Sequence, residues 1–335
     1  MIRRFAAAAL LLGVGAVLLV IAWPSLFGLA GAPVIAQLVS LRGLTSLVAI
    51  LVAISLLIIA AVWAGGRRFL AGLAVIALGF TAINLAVLSS RGFGSDAPPA
   101  PADDELVVLA WNTLGDATGS DAIAALAIAE QADIVVLPET TEETAVAAAE
   151  SMRANDRPMW VHTLEFDPEL ELKARSTSVL ISVEVGEYAR DDSVGSTTVL
   201  PSIVLRPISG DGPTIIGVHP ISPVPGELEN WRADLAWLDG VCEGERVIMA
   251  GDLNATADHF TVTDSGLGLG SCVDAALETG DGAVGTWPTR LPPLLGAPID
   301  HVLVTPDIEI RSFRVITSED GAGSDHRPVV ARLLP

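Results

Sequence analysis

Acidic, amide and imidazole side chains recur in this sequence at one kind of place, the end of a short apolar run. Asn112 follows LVVLAW, Glu139 follows DIVVLP, and His219 closes TIIGVH. Asp252 closes RVIMAGD with Asn254 two residues on, Asp300 and His301 enter IDHVLV, and Asp325 and His326 precede the last apolar run. A carboxylate at the end of a buried strand costs free energy unless it is paired or bound to a cation. Glu139, Asp252 and Asp325, with Asn112 and Asn254, offer all-oxygen ligation. Such a set suits Mg²⁺, Mn²⁺ or Ca²⁺ and not zinc, which favours His and Cys. His326, with Asp300 to orient it, forms a general-base pair. A hard cation beside a His base points to phosphoryl chemistry, in which the cation polarises a phosphate oxygen and His326 activates water.

The runs that must carry these residues read as strands. They are Leu106–Asn112, Asp133–Pro138, Thr177–Val183, Thr198–Arg206, Thr214–His219, Arg246–Asp252, Ile299–Thr305 and Pro328–Leu334, each compact and apolar or β-branched. Helices are expected over Asp121–Gln131 and Thr141–Ala154, and over Glu227–Val241, where Leu228, Trp231, Leu235 and Leu238 share one face. Mixed strands and helices with strand clusters in the middle suggest two sheets layered between helices. Polar strand ends then collect at one edge of the sandwich.

The first 95 residues have a different composition. They hold six Arg and no Asp or Glu, whereas residues 96–335 hold 13 basic and 40 acidic residues, a net charge of −27. Phe5–Phe27, Leu44–Ala64 and Phe69–Ser90 are uncharged and long enough to cross about 30 Å of hydrocarbon as helices. A cleaved signal peptide does not fit, because the first run is too long and two more follow. Arg3 and Arg4 before the first span, and Arg67 and Arg68 between the second and third, place those sites in the cytoplasm. Arg42 sits alone in the intervening loop. Three spans then put the acidic part outside the cell membrane. Gly92–Glu105 reads as a Pro-rich, acidic, extended linker. The spans carry no interior charges, so they read as an anchor and not as a transport path.

Six motifs, LAWN (109–112), DIVVLPE (133–139), GVHPIS (217–222), GDLNAT (251–256), PIDHVLV (298–304) and GSDHRPV (323–329), resemble the endonuclease/exonuclease/phosphatase superfamily in kind and order. The resemblance covers about residues 105–335 and is similar to the bacterial membrane-anchored branch, whose substrates are poorly defined. It implies an α/β fold of α+β type: an N-terminal three-helix transmembrane region (1–91), the linker (92–105), and a catalytic four-layer α/β sandwich of two mixed sheets flanked by helices (106–335). It also implies roles. Glu139 matches the metal-binding Glu, Asn112 the strand-one Asn that supports metal and phosphate, and Asp325 a metal-linked carboxylate. His219 matches the His that contacts or protonates phosphate oxygens. Asp252 matches the residue that orients the nucleophile, Asn254 a phosphate holder, and His326 with Asp300 the general base and its partner. Mg²⁺ or Mn²⁺ is the implied cofactor. Three departures stand out: Pro138 replaces the usual Gln before Glu139, Pro220 replaces Leu after His219, and His301 replaces an aromatic after Asp300.

The remaining residues of interest carry weaker expectations. Arg175 is a candidate for a substrate phosphate. His162 and His259 read as surface or core residues, and Trp231 as core. His301 is either a ligand or a packing residue, and Trp287 either lines the site or plugs the sandwich edge. Cys242 and Cys272, the only cysteines, are either a disulfide of an extracytoplasmic domain or two buried thiols. The expected protein is thus a multi-pass cell-membrane hydrolase with an outward-facing site. Its partners are membrane lipids, through the three spans, and a phosphoester substrate, small or lipid. Nucleic acid is the alternative substrate, disfavoured by the −27 charge and the single Lys173. A non-catalytic binding module is a further alternative, opposed by retention of both GDLN and SDH. No protein partner is inferable.

Overall fold

Residues 2–94, 104–263 and 266–335 are described by the structure, a computed structural model. The chain begins with helix α1 (Ile2–Ala22), a short helix α2 (Ile35–Ser40), α3 (Arg42–Val62) and α4 (Arg67–Arg91). Among the described residues, α1, α3 and α4 are the three helices long and apolar enough to cross a membrane. Contacts of Leu11 with Gly72 and of Ile76 with Gly15 make α1 and α4 parallel, and the pairs Thr81–Ser46 and Arg67–Ala60 set α3 antiparallel to α4. The first apolar run was expected to stay helical to Phe27. The helix stops at Ala22 because Pro24 disfavours helical backbone at Trp23. Most of the 92–105 linker, residues 95–103, lies outside the described residues. Its start is not free: Gly94 donates to the Gly280 carbonyl, and Gly92 accepts from Ala283.

Two six-stranded mixed sheets follow. In chain order the strands are β1 (Leu106–Ala110), β2 (Ile134–Pro138), β3 (Met159–Glu165), β4 (Ser176–Ser182), β5 (Tyr188–Arg190), β6 (Ile203–Pro207), β7 (Thr214–Val218), β8 (Val247–Asp252), β9 (Val273–Asp274), β10 (Asp300–Val304), β11 (Glu309–Val315) and β12 (Val329–Leu334). The first sheet runs β11-β12-β1-β2-β4-β3 and the second β5-β6-β7-β8-β10-β9, with β1–β2 and β7–β8 the parallel pairs. Alternation along each central strand builds the layers. Val108, Ala110, Ile134 and Val136 of one sheet meet Ile215, Ile248, Ala250 and Val302 of the other in the middle layer. Leu109, Val135 and Leu137 face α5 (Ser120–Glu130) and α6 (Glu142–Arg153). Ile216, Val218 and Met249 face α7 (Leu228–Val241), whose Trp231, Leu235 and Leu238 are buried there. The expected strand from Thr198 starts only at Ile203. Residues before it fold back, with Ser196 Oγ donating to Ser202 O and Asp234 holding the Thr198 N–H.

The helical region is docked on the sandwich. Two short helices, α8 (Ala257–Phe260) and α9 (Ala275–Thr279), complete the fold. Asp258 of α8 receives Arg42 Nε at 2.9 Å and Arg91 Nη1 at 2.8 Å, all three side chains being buried. Arg42 is expected alone in a loop; it opens α3 and pairs with Asp258. Burial opposes the Asp258 charge, but Arg91 and Arg42 outweigh it and hold the carboxyl well below the usual range. His259, in a capping box with Thr256, reaches the Ala36 carbonyl at 3.1 Å, and Arg232 Nη2 donates to the Gly31 carbonyl at 2.6 Å. Cys242, after α7, is bonded to Cys272, before β9, with Cα atoms 5.8 Å apart.

Candidate active site

Register creates the centre of the site. β8 and β10 are antiparallel with Asp252 directly opposite Asp300, so two buried carboxylates face the same way from adjacent strands. Like charges in that position repel, and burial sharpens the repulsion. His326, from the loop before β12 of the other sheet, lies against the pair. Its Nδ1 is 2.9 Å from Asp300 Oδ2 and its Nε2 is 3.7 Å from Asp252 Oδ2. Burial alone would favour neutral imidazole. Asp300, Asp252 and Asp325 outweigh it and raise the His326 pKa to about 10. Burial raises the Asp252 pKa, with Asp300 adding to the effect against His326 and His219.

Glycine permits the approach at β8. Gly251 has φ of +141°, and a Cβ there would collide with the Val218 carbonyl oxygen. Beyond the strand end, Asp252 Oδ1 accepts the Asn254 N–H at 2.8 Å. Asn254 is left-handed, φ +45°, and so is Glu139 after β2, φ +57°. Non-glycine residues held in this region cost free energy and cluster at functional sites. Asn254 Nδ2 donates to the Pro220 carbonyl at 3.0 Å.

Asn112 ties the two sheets together. Its Nδ2 donates to Glu139 Oε1 at 3.1 Å and to Asp252 Oδ2 at 3.0 Å, while its Oδ1 accepts the Leu114 N–H. The sequence suggested an oxygen ligand here. The carbonyl oxygen is already engaged, and it is the amide that faces the carboxylates. Glu139 is raised by burial, with Asp325 adding to the effect against the Asn112 hydrogen bond and His326. His219, after β7, is buried; its Nε2 lies 3.7 Å from Glu139 Oε1, and burial lowers it to about 4, leaving it neutral.

Glu139 and Asp325 are the wetter acids, 18% and 38% exposed, and open onto a cavity of about 430 Å³. Asp252, Asn254, His219 and His326 share its lining with apolar Leu200, Val224 and Trp287. Trp287 therefore lines the site; its Nε1 donates to Asp325 Oδ2 at 2.8 Å. The buried Asp325 Oδ1 accepts no hydrogen bond among the described residues. Asp252, Asp300 and His326 offer ligand atoms within 4.8 Å of one another. Since Nδ1 of His326 is already bound to Asp300, that trio is better suited to orienting a base. Glu139, Asp252 and Asp325 all line the cavity, and Asp325 Oδ1 has no hydrogen-bond partner among the described residues, so these three carboxylates present an oxygen donor set that fits a hard divalent cation.

The chain belongs to the endonuclease/exonuclease/phosphatase family. The family model matches residues 109–326. Members of this superfamily are hydrolases acting on phosphoester bonds and are typically divalent-metal dependent. The chain is similar in fold to the endonuclease/exonuclease/phosphatase from Beutenbergia cavernae DSM 12333, at 20% identity and TM-score 0.53, covering 69% of this chain and 72% of that one. Humanized D. rerio TDP2 is similar at 15% identity and TM-score 0.53, with 69% and 99% covered. D. rerio TDP2 complexed with single strand DNA product is similar at 16% identity, TM-score 0.52, with the same shares covered. No curated protein matches the sequence.

Some residues lie elsewhere than the sequence suggested. Arg175 is absent from the cavity lining and pairs with Asp167, eight residues back across a surface turn. His301 bonds Asp274 at 2.9 Å and the Ala255 carbonyl at 3.0 Å, which makes it a packing residue under the site. His162 is half-buried on β3. Others lie inside the LAWN and GSDHRPV motifs without an expected role and prove to be part of the frame. Trp111 Nε1 donates to the His326 carbonyl at 2.9 Å, and Ser324 Oγ donates to the Asn112 carbonyl while accepting the His326 N–H. Buried Arg327 donates to the carbonyls of Gly285, Thr289 and Leu291 and to Asp320, fixing the Trp287 loop. Gln37, Ser40 and Leu41, from the α2 segment, form one wall of the cavity. Only tertiary docking brings them there.

Proposed function

We propose that this chain is a membrane-anchored, divalent-cation-dependent phosphoester hydrolase with its active site outside the cell membrane. The observation that carries this reading is His326, held by Asp300 beside Asp252, with Glu139, Asp325 and His219 facing the same cavity. Asp300 fixes the ring through Nδ1 and leaves Nε2 toward the cavity. The carboxylates that keep the ring protonated would be offset by a cation held by Glu139, Asp252 and Asp325, which lowers the ring's pKa and lets Nε2 take a proton from water and return it. Asp252 orients that water, and neutral His219 offers a hydrogen bond to a phosphate oxygen. Asn254, on the Asp252 side, helps hold the phosphate. Asn112 holds Glu139 and Asp252 in register with each other. Glu139 and Asp325, with Asp252, would hold Mg²⁺ or Mn²⁺, which supplies charge neutralisation at the phosphate.

Two observations support the topology and substrate class. Arg4 and the Arg67–Arg68 pair sit at the helix ends away from the sandwich, whereas Arg42 and Arg91, at the near ends, share the Asp258 carboxylate, which offsets one of their two charges. That distribution favours a cytoplasmic far side. The sole lysine already pairs with Asp116 at 3.1 Å, and residues 96–335 carry a net charge of −27, which opposes a long polyanion. We therefore favour a small or lipid phosphoester over duplex DNA. The test is turnover of bis(4-nitrophenyl) phosphate and of duplex DNA by the full chain in detergent, with Mg²⁺, Mn²⁺ or EDTA. Undiminished turnover after exhaustive chelation would remove the cation. Efficient duplex cleavage with a steep loss as salt rises would overturn the substrate class.

A further inference from the structure

A second cavity, of about 470 Å³, lies among the three apolar helices. Its walls are Leu18 and Ile21 of α1, Leu44, Val48 and Val52 of α3, and Phe80 of α4. Gln37 and Leu41 line both this cavity and the catalytic one. The two spaces thus adjoin across Gln37 and Leu41, the neck between them, with carboxylates and histidines on one side and hydrocarbon on the other.

The neck is a built part of the fold. Gln37 Nε2 donates to the Pro223 carbonyl of the catalytic domain, Ala36 is fully buried in the core beneath α7, and its carbonyl meets His259. The depth also has a physical match. From Arg42 to Val52, α3 rises about 15 Å at about 1.5 Å per residue. That is roughly half of a hydrocarbon core of about 30 Å, or one leaflet. An apolar cavity of this kind gains little by taking a chain out of lipid, which is equally apolar. Its effect is positional, since a chain seated there delivers its head group through the neck to the catalytic cavity.

We propose that the cavity among α1, α3 and α4 seats the hydrocarbon chain of a phosphoester lipid from the leaflet on the catalytic domain's side. The phosphate of the same molecule passes the Gln37–Leu41 neck to reach Glu139, His219 and His326. This assignment rests on the hydrolase reading above and narrows its substrate to a lipid. Adjacency to a phosphate-directed cavity across Gln37 and Leu41 distinguishes a lipid from a protein helix as the occupant, because a helix seated there would have no group to place beyond the neck.

The test compares two diesters with the same scissile bond, 4-nitrophenyl methyl phosphate and 4-nitrophenyl hexadecyl phosphate, on the full chain in the same micelles. In each, a water oxygen bonds to phosphorus, the bond to the aryl oxygen breaks, 4-nitrophenolate leaves with the bonding pair, and the water proton passes to the base. The hexadecyl ester is expected to have at least a roughly tenfold higher kcat/KM. Val48 and Val52 are 52% and 47% exposed, so a larger side chain there fills the cavity without entering a packed core. Val48→Trp and Val52→Trp are each expected to lower the hexadecyl-to-methyl ratio about tenfold. Val75→Trp, on an exposed face of α4 away from the cavity, leaves it unchanged.

A second readout is independent of turnover. A hexadecyl phosphate tipped with a diazirine is photo-crosslinked to the His326→Ala full chain. Labelling is expected to be saturable, confined to Leu44–Val52 and neighbouring α1, and displaced by unlabelled hexadecyl phosphate. Equal kcat/KM for the two esters, or unsaturable labelling that reaches Val75 as readily, would overturn the lipid assignment while leaving the hydrolase reading standing. Confined, displaceable labelling with neither ester hydrolysed would uphold the lipid site and overturn the hydrolase reading. Crosslinks displaced by an added apolar helical peptide but not by hexadecyl phosphate would make the occupant a protein.

Discussion

Removal of the Asp258 carboxylate is the most direct test of how the helices and the sandwich are joined. The carboxylate takes Arg42 through Nε at 2.9 Å and Nη2 at 2.6 Å, and Arg91 through Nη1 and Nη2, both at 2.8 Å. The Arg42 and Arg91 side chains are 4% and 10% exposed, so Asp258→Ala strands two guanidinium groups with little access to water. Arg42 keeps the Ala22 carbonyl and Asn84 as partners, but these are neutral. Breaking a buried pair by removing one partner typically costs about 3–5 kcal/mol. At roughly 2–4 °C per kcal/mol for a mid-sized domain, the full chain in detergent is expected to lose on the order of 10 °C in Tm. Acid provides an independent check. The folded pKa of Asp258 lies below its unfolded value, so the contribution is complete above about pH 4 and is lost as pH falls through the folded pKa. Wild type and Asp258→Ala should therefore differ at pH 5 and above, and converge only in stronger acid. A Tm loss under about 2 °C, or a difference that persists undiminished into strong acid, would refute the reasoning. Lipid head groups or water would then be satisfying the arginines.

Four further outcomes are expected. His326→Ala and Asp252→Asn should each lower kcat about 10²–10⁴-fold, the usual contribution of a positioned acid or base, with Tm nearly unchanged; near wild-type kcat in His326→Ala removes it from the base role. Asp300→Asn should also lower kcat, because the Nδ1 partner at 2.9 Å no longer stabilises the charged ring, and the loss should not be rescued by more cation. A reporter fused after Pro335 should read the outer side of the membrane; cytoplasmic activity there overturns the topology. Reduction, or Cys242→Ala with Cys272→Ala, should cost about 3–4 kcal/mol by loop closure over a separation of 30 residues, seen as a lower Tm than the oxidised wild type.

Strands read correctly from sequence were the central ones, β1, β2, β4, β7, β8, β10 and β12. Both faces of each are covered, so its signal is a mostly apolar run, although β4 opens with Ser176, Thr177 and Ser178 and β12 carries Arg332. Strands β3, β5, β9 and β11 were not legible. All four are edges of their sheets, where one side meets solvent and the run is broken by residues such as His162, Arg190 and Arg311. The same logic applies to the site. Asn112, Glu139, His219, Asp252, Asn254, Asp300, Asp325 and His326 were legible because each is tied to the end of a run that must be buried, and few residue types do useful chemistry there. Arg175 was misplaced because an Arg beside a strand carries no such constraint, and Asp167 takes it up locally.

Residue type and spacing thus determined the apolar helices, the two-sheet sandwich and the chemical class of the strand ends, since burial and hydrogen bonding act over a few neighbours in the chain. Tertiary structure alone decided which groups face each other. The Asp252–Asp300 register, the His326 ring crossing from the other sheet and the Asn112 amide turned toward two carboxylates all depend on pairs far apart in sequence. So does the wall of the catalytic cavity built from Gln37, Ser40 and Leu41. In the sequence this segment is an unremarkable stretch between two apolar runs. It gains its role because buried Arg42 and Arg91 find Asp258 more than 160 residues away, and that charge pairing brings the helices against the site.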